Sequence, residues 1–391
     1  MKIISIGSDR NLFNEGSAVR TRIVEYGELV EEMHIVTFNQ KSKLEKQNFG
    51  NIYLYPTNSR NRWFYVFDAV KIGREIIKNF QPKADQPRAE KSQIKNSRDN
   101  ILVSSQDPFE CGLAGYFIAK KFKIPLQIQI HTDFLNRYFW KESLLNKIRT
   151  RLAKFLIPRA GCIRVVSDRI KKSLISSFEI HASRIVVLPI FVDVRKIQEA
   201  EIKTDLRQKY PQFDFIILMV SRFTKEKNIG LAIETITKIV KKYPKTGLII
   251  AGDGPEREKL KLQITNCKLQ KNVILEPWTD DLESYYKTAD LFLLTSNYEG
   301  YGMAVVEAMA AGCSVVMTDV GLAGEILKNG ENGFVIPVSD KQGLERAILE
   351  LIDNRKLSQK FIQKSKEIIA CFSSKEKYLR NYYESWRICR Q

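Results

Sequence analysis

From residue 215 onward the chain alternates short, uninterrupted apolar runs with longer stretches of helical periodicity. Phe215–Val220, Gly247–Ala251, Val273–Leu275, Leu291–Thr295 and Ser314–Thr318 are the apolar runs. They lack the in–out alternation of a half-exposed strand, which predicts strands covered on both faces. Between them, Gly230–Tyr243, Pro255–Cys267, Leu282–Ala289 and Gly302–Ala311 have helical spacing. Repeats of this kind predict a parallel sheet with right-handed helical crossovers. The first half follows the same rhythm more loosely, with strands expected at Ile3–Gly7, His34–Phe38, Ile52–Tyr55, Ile101–Ser105, Leu126–His131, Ile163–Ser167 and Ile185–Pro189. Helices are expected at Ala18–Glu31, Phe64–Phe80, Pro108–Lys121 and 168–177. Lys83–Asn100 is nearly devoid of apolar residues and predicts a mobile surface insertion. After a short strand at Gly333–Pro337, helices fill 340–388.

The fold class is therefore α/β, with two doubly wound domains: 1–200, 201–370 after a hinge around 190–212, and an aromatic, basic final helix in 371–391. Length and a hydrophobic fraction of 44% fit two domains with cores of their own. No run approaches the ~20 apolar residues of a membrane span, and the apolar start Met1–Gly7 is too short for a signal peptide. The six cysteines are scattered without a Cys-x-x-Cys pair, which predicts neither a zinc site nor a disulfide framework and fits a reduced, cytoplasmic setting.

Charge changes this picture more than composition does. The chain carries a net +18, and residues 1–190 hold 32 basic against 18 acidic side chains. Within 137–172 there are 11 basic and two acidic residues, interleaved with Tyr138, Phe139, Trp140, Leu145, Ile148, Leu152 and Phe155. Such a surface is suited to an anionic membrane, and equally to being a core-facing helix with a solvated basic side. No recognised nucleic-acid module accompanies it, so nucleic acid is not an expected partner.

The candidate chemistry gathers at strand ends, where doubly wound sheets bind ligands. Glu299–Gly312, Glu-Gly-Tyr-Gly-Met-Ala-Val-Val-Glu-Ala-Met-Ala-Ala-Gly, follows the Leu291–Thr295 strand. Gly300 and Gly302 let a ligand approach the backbone, and the N–H groups of Gly302, Met303, Ala304 and Val305 open a helix whose dipole favours an anion. The carboxylates of Glu299 and Glu307 bracket that loop and call for neutral donors such as sugar hydroxyls. Arg222 and Lys227 follow the Phe215–Val220 strand and offer a bidentate fork and a mobile point charge. Gly252, in Ala251-Gly-Asp-Gly-Pro255, ends the next strand. In the first half, Gly16 and Ser17 open the first helix, and His131 with Asp133 follows the Leu126–Ile130 segment.

Taken together, Glu299-x7-Glu307 within its glycine-containing string, Arg222-x4-Lys227 and Gly252-x-Gly-Pro255 resemble the donor site of the retaining glycosyltransferases of family 4, which have the GT-B fold. The resemblance implies two Rossmann-like domains facing each other across a cleft, the nucleotide sugar on the second and the acceptor on the first. It further implies that Glu299 faces the donor sugar and Glu307 the ribose, and that Arg222, Lys227 and the Gly300–Val305 backbone, Tyr301 included, hold the diphosphate. Gly252 would let the nucleotide approach, His131 would face the donor sugar, and Gly16–Ser17 would form an acceptor or phosphate loop. Here the chain departs from the pattern, having Asn14-Glu-Gly-Ser17 in place of a double glycine and Trp278 where a glycine is usual.

The implied activity is hexosyl transfer with retention, from a nucleotide diphosphate sugar to a glycan or lipid-linked acceptor of the cell envelope. With no Asp-x-Asp in the chain, neither metal nor other cofactor is expected, and no residue is assigned as a covalent nucleophile. Two other readings stand beside it: a nucleotide-sugar epimerase on the same architecture, and a polyanion-binding protein without catalysis.

Overall fold

The computed structural model describes residues 1–40, 44–80 and 100–390. The expected insertion Lys83–Asn100 thus lies, except for Asn100, outside the described residues. Two compact units emerge: unit 1 comprises 1–135, 140–189 and 374–391, and unit 2 comprises 136–139 and 190–373.

Unit 1 is built on strands β1 (Lys2–Gly7), β2 (Glu32–Thr37), β3 (Gln47–Phe49), β4 (Ile52–Pro56), β5 (Ile101–Ser105), β6 (Leu126–Ile130), β7 (Cys162–Val165) and β8 (Ile185–Val187). They form one sheet in the order β3-β4-β2-β1-β5-β6-β7-β8. Every pairing is parallel except β3 with β4, a short edge strand that the polar sequence of 44–49 gave no reason to expect. The strand order reverses between β1 and β5, paired from Lys2↔Ile101 to Ile6↔Ser105.

The in–out alternation of β6 suggests a solvated side, yet Gln127 and Gln129 are both buried. The final helix, Lys375–Ile388, supplies the missing cover. Gln127 donates to the Ser385 carbonyl at 2.8 Å, Gln129 donates to the Tyr382 hydroxyl at 3.2 Å, and Arg164 on β7 donates to Gln129 Oε1 at 2.7 Å. The Arg164 guanidinium also lies 4.4 Å from the centre of the Tyr382 ring, which stacks on Tyr26 at 4.1 Å. A polar strip buried in this way is stable because most of its donors and acceptors are matched, Arg164 Nε being left without a partner among the described residues.

One expectation is corrected here. Cys162 on β7 and Cys389 beyond the final helix form a disulfide with their Cα atoms 5.0 Å apart. Sequence spacing could not reveal this pair, because 227 positions separate the two residues and only the packing of the last helix onto β7 unites them.

Unit 2 is a six-stranded, wholly parallel sheet of β9 (Phe215–Val220), β10 (Thr246–Ala251), β11 (Val273–Glu276), β12 (Leu291–Leu294), β13 (Ser314–Thr318) and β14 (Phe334–Ile336), ordered β11-β10-β9-β12-β13-β14. All residues of β9, β10, β12 and β13 are buried, as continuous apolar runs require of strands covered on both faces. The helices Ile229–Lys242 and Lys341–Asp353 bring Ile233, Ile236, Leu344 and Ile348 to one side of the sheet as its core. The order reverses between β9 and β12, so the loops leaving these neighbouring strands diverge and open a crevice at their carboxyl ends.

Candidate active site

The two loops at that reversal are those carrying the sequence candidates of unit 2. Arg222 and Lys227 follow β9, whereas Glu299, Gly300, Tyr301 and Gly302 follow β12. Side chains from the β12 segment stitch the loops together. The Thr295 hydroxyl lies 3.0 Å from the carbonyl oxygens of both Lys227 and Asn228, and Asn297 N–H donates to the Glu226 carbonyl at 2.7 Å. Asn228 adopts the left-handed conformation (φ 45°), as asparagine does more readily than most residues, and its side chain donates to Asn297 Oδ1 at 3.1 Å.

The charged groups converge on this frame. Lys227 Nζ lies 2.5 Å from Glu299 Oε1, which also accepts from the Ser296 hydroxyl at 2.8 Å. An ammonium has three donors, so two remain for another acceptor. Arg222 is mostly exposed, and its guanidinium meets Glu226 Oε1 at 3.4 Å, itself held by Thr224 at 2.6 Å.

Gly302 caps the helix Met303–Ala310 with φ 105°, a conformation costly for a residue with a Cβ. An added Cβ would meet nothing closer than 3.8 Å, so backbone conformation, not crowding, calls for glycine here. Among the described residues the N–H groups of Gly302, Met303 and Ala304 meet no backbone acceptor. Val305 departs from expectation. Its N–H donates to the Gly302 carbonyl at 3.0 Å and its side chain is fully buried, so the helix start presents three amides instead of four. Tyr301 is also buried, which leaves its backbone as the part facing the loop; its carbonyl accepts from Leu322 N–H at 3.0 Å. At Gly252, φ is 151° and a Cβ would collide with the Ser221 carbonyl, so the turn after β10 packs directly on the β9 loop.

Glu307, on the helix that Gly302 opens, accepts from the Tyr286 hydroxyl at 2.8 Å. Burial raises the Glu307 pKa above the ordinary carboxyl value, while the Tyr286 hydrogen bond opposes the rise. Tyr286, Ser296, Thr295 and Glu226 were absent from the sequence candidates. No local motif marks them, because each acts by reaching a residue on a neighbouring element.

In unit 1, Gly16 has φ 72° with open space around it. Ser17 caps the first helix: its Oγ accepts from Arg20 N–H at 3.2 Å and donates to the Asn11 carbonyl at 2.6 Å, so its hydroxyl proton is already committed. His131 stands at the carboxyl end of β6, with Nε2 buried and unpartnered, and Asp133 is buried nearby in sequence. Burial, reinforced by Arg164 and then Arg22, pushes the His131 pKa down to about 3. The ring is thus neutral above about pH 5, a hydrogen-bonding group and not a cationic acid.

The sign of the effect gives a test. An unfolded histidine titrates near ~6.5, so the unfolded chain binds a proton that the folded chain refuses between that value and about 3. Native stability is therefore lost as pH falls through this window. Urea unfolding at pH 7 and at pH 4.5 should show a smaller acid loss for His131→Asn than for the unaltered chain; equal losses would contradict the assignment.

Comparisons with known proteins complete the picture. The family described as Glycosyltransferase Family 4 matches residues 29–196, and Glycosyl transferases group 1 matches 202–368. The chain is 35% identical over 178 residues to a poly(glycerol-phosphate) alpha-glucosyltransferase of Bacillus subtilis, a match covering 45% of this chain and 26% of the relative. It is 30% identical over 230 residues to an alpha-monoglucosyldiacylglycerol synthase of Streptococcus pneumoniae, covering 55% of this chain and 51% of the relative. The chain thus spans about a quarter and about half the length of these two relatives. Among solved structures, Anabaena HepE in complex with UDP superposes with a TM-score of 0.71 at 17% identity, covering 98% of this chain and 99% of the other. With both halves matched in order and the GT-B architecture shared along nearly the whole length, the chain belongs to glycosyltransferase family 4.

Proposed function

We propose that the protein transfers a hexosyl group from a nucleotide diphosphate sugar to a glycan or lipid-linked acceptor of the cell envelope, with retention and without a metal. The observation that carries this reading is the juxtaposition of Arg222, Lys227 and the open amides of Gly302, Met303 and Ala304 at the β9–β12 reversal. As the sugar–phosphate bond breaks, the sugar becomes oxocarbenium-like and negative charge grows on the departing diphosphate. The Lys227 ammonium held by Glu299, the fixed helix-start amides and the exposed Arg222 guanidinium stabilise that charge where it develops. In this reading they take the role a divalent ion plays elsewhere.

The remaining roles follow the chemistry of each group. Glu299, oriented by Lys227 and Ser296, accepts from a hydroxyl of the donor sugar. Glu307, oriented by Tyr286, accepts from the ribose. Gly252 lets the nucleotide lie close to the backbone, and neutral His131 keeps the donor-sugar contact that the family resemblance assigns it. The acceptor hydroxyl attacks on the face the diphosphate leaves, and its proton passes to a donor phosphate oxygen. The Gly16–Ser17 loop remains assigned to the acceptor, through its backbone and not the committed Ser17 hydroxyl.

The relatives' printed activities support this reading: one acts on poly(glycerol phosphate), and the other makes a glycolipid. They lend no support to an epimerase or to a protein that only binds polyanions. We assign access to a lipid-linked acceptor to the basic surface of 137–172, lying on the cytoplasmic face of the membrane. No helix among the described residues is long and apolar enough to cross a membrane.

The test is donor turnover. Incubation with UDP-, GDP- and ADP-sugars, with and without EDTA, should release nucleoside diphosphate from at least one donor at a rate that chelation does not change, and acceptor extracts should raise it. Loss of release in EDTA would refute the metal-independent reading, and release from none of the donors would refute the transferase reading.

A further inference from the structure

Fourteen large hydrophobic side chains are exposed among the described residues, and nine of them fall within three short segments of unit 1, at 63–67, 117 and 140–155. Scattered exposed apolar residues need no explanation, but a concentration of this kind does. The helices Tyr65–Asn79, Glu110–Phe122 and Leu144–Leu156 carry most of them. These helices pack side by side: Gly73 of the first lies against Ile118 of the second, and Gly112 of the second lies against Leu156 of the third. Their rings meet as well, the half-buried Tyr116 lying edge-on to exposed Phe155 at 5.8 Å and next to exposed Phe117 at 5.7 Å.

Between the first two helices runs an open groove of about 700 Å³. Trp63, Phe67, Val70 and Phe117 form its apolar lining, while Lys71, Arg74, Lys78 and Lys121 bring four positive charges against the single carboxylate of Glu75. Trp63 is 91% exposed and Phe67 67% exposed, values without precedent among the aromatic side chains of the core. On the third helix, Leu144 and Ile148 are 76% and 60% exposed, one helical turn apart. Basic groups lie over rings there too, Lys147 at 4.6 Å from Trp140 and Arg159 at 3.9 Å from Phe155.

We propose that this three-helix face docks on an anionic lipid bilayer, with Trp63, Phe67 and Phe117 entering the headgroup–acyl boundary and the surrounding lysines and arginines meeting lipid phosphates. It extends the membrane component of the proposed function from 137–172 to two further helices, and so rests on that reading for its biological purpose though not for its physics. The chemistry of the face selects the partner. Aromatic rings sit favourably at a membrane interface, and basic side chains extend their charged ends to the headgroups while their stems cover apolar surface. The charge is right as well, since residues 1–190 carry the larger part of the net +18. Each basic group near an anionic leaflet adds attraction that salt weakens.

Flotation with vesicles of phosphatidylcholine alone, or with one-third phosphatidylglycerol, tests the proposal on the whole chain. Binding to the phosphatidylglycerol vesicles should exceed binding to phosphatidylcholine by at least tenfold and fall as salt is raised from 0.05 to 0.5 M. The double variant Trp63→Ser, Phe67→Ser should lose about tenfold in partitioning, and so should Lys71→Glu, Lys78→Glu. All four side chains line an open surface groove, so the fold should stand, as unchanged circular dichroism would verify. In a variant with Trp140→Phe and Trp278→Phe, Trp63 is the one exposed tryptophan left beside the buried Trp386, and its emission should shift to the blue on vesicle binding. Release of nucleoside diphosphate from a soluble donor should be the same in every variant, which separates failure of docking from failure of the transferase reading. Equal partitioning of the variants and the unaltered chain, or no binding to anionic vesicles, would overturn the proposal.

Discussion

Replacing Lys227 by alanine should lower turnover by about 10²–10³ while leaving the fold intact, and Arg222→Ala should do the same. The two act differently. Arg222 is an exposed fork held only loosely by Glu226, so its removal takes away a cation from the departing diphosphate and little else. Lys227 contacts Glu299 at 2.5 Å, so its removal also leaves that partly buried carboxylate without its cation, beside a site meant for phosphate. A charged hydrogen bond is worth about 1.5–3 kcal/mol, and a lost partner for a partly buried charge adds to this. Lys227→Ala should therefore raise KM as well as lower kcat, whereas Arg222→Ala should act mainly on kcat. Glu299→Ala should abolish transfer with unchanged thermal unfolding. Steady-state kinetics alongside melting curves decides the matter: near-normal turnover in either cation variant would remove the basis of the assigned mechanism.

The second large effect concerns stability. Deleting residues 374–391 uncovers Gln127, Gln129 and Arg164 of unit 1 and removes Tyr378, Tyr382 and Trp386, each of them buried. Burying a large side chain contributes about 1.5–3 kcal/mol, and truncating an aromatic in a core costs about 3–5 kcal/mol. Three such losses, about 9–15 kcal/mol together, are comparable to the whole stability of an ordinary domain, about 5–15 kcal/mol. The truncated chain should be insoluble or unfolded at 25 °C. Trp386→Ala alone should lower the unfolding midpoint by several degrees, measured in reductant so that the Cys162–Cys389 link does not mask the change. A soluble truncation with an unchanged midpoint would show that the polar strip on β6 needs no cover.

What the sequence revealed of this fold depended on how local the cause was. Strands β9, β10, β12 and β13 stand within a residue or so of their expected bounds, because a continuous apolar run bounded by turn residues has few other ways to be buried. The Glu299–Gly302 loop was legible for the same reason, since positive φ at Gly302 is a demand that one residue type meets best. Where partners lie far apart in the chain, the sequence was silent. Tyr286 reaches Glu307 across 21 positions, Thr295 reaches the Lys227 carbonyl across 68, and the Cys162–Cys389 link spans 227. The Val305 amide shows a subtler limit: a helix start has unpaired N–H groups in general, yet a tight first turn closed onto the Gly302 carbonyl removes one of them.

Calorimetric titration of the nucleoside diphosphate released from the active donor bears most directly on the central claim, that the β9–β12 reversal in unit 2 holds a diphosphate between Arg222, Lys227 and three backbone amides. The account predicts that Arg222→Ala and Lys227→Ala each weaken its binding by about 10- to 100-fold while leaving the nucleoside's own binding unchanged. A dissociation constant for the diphosphate that neither substitution moves would contradict it.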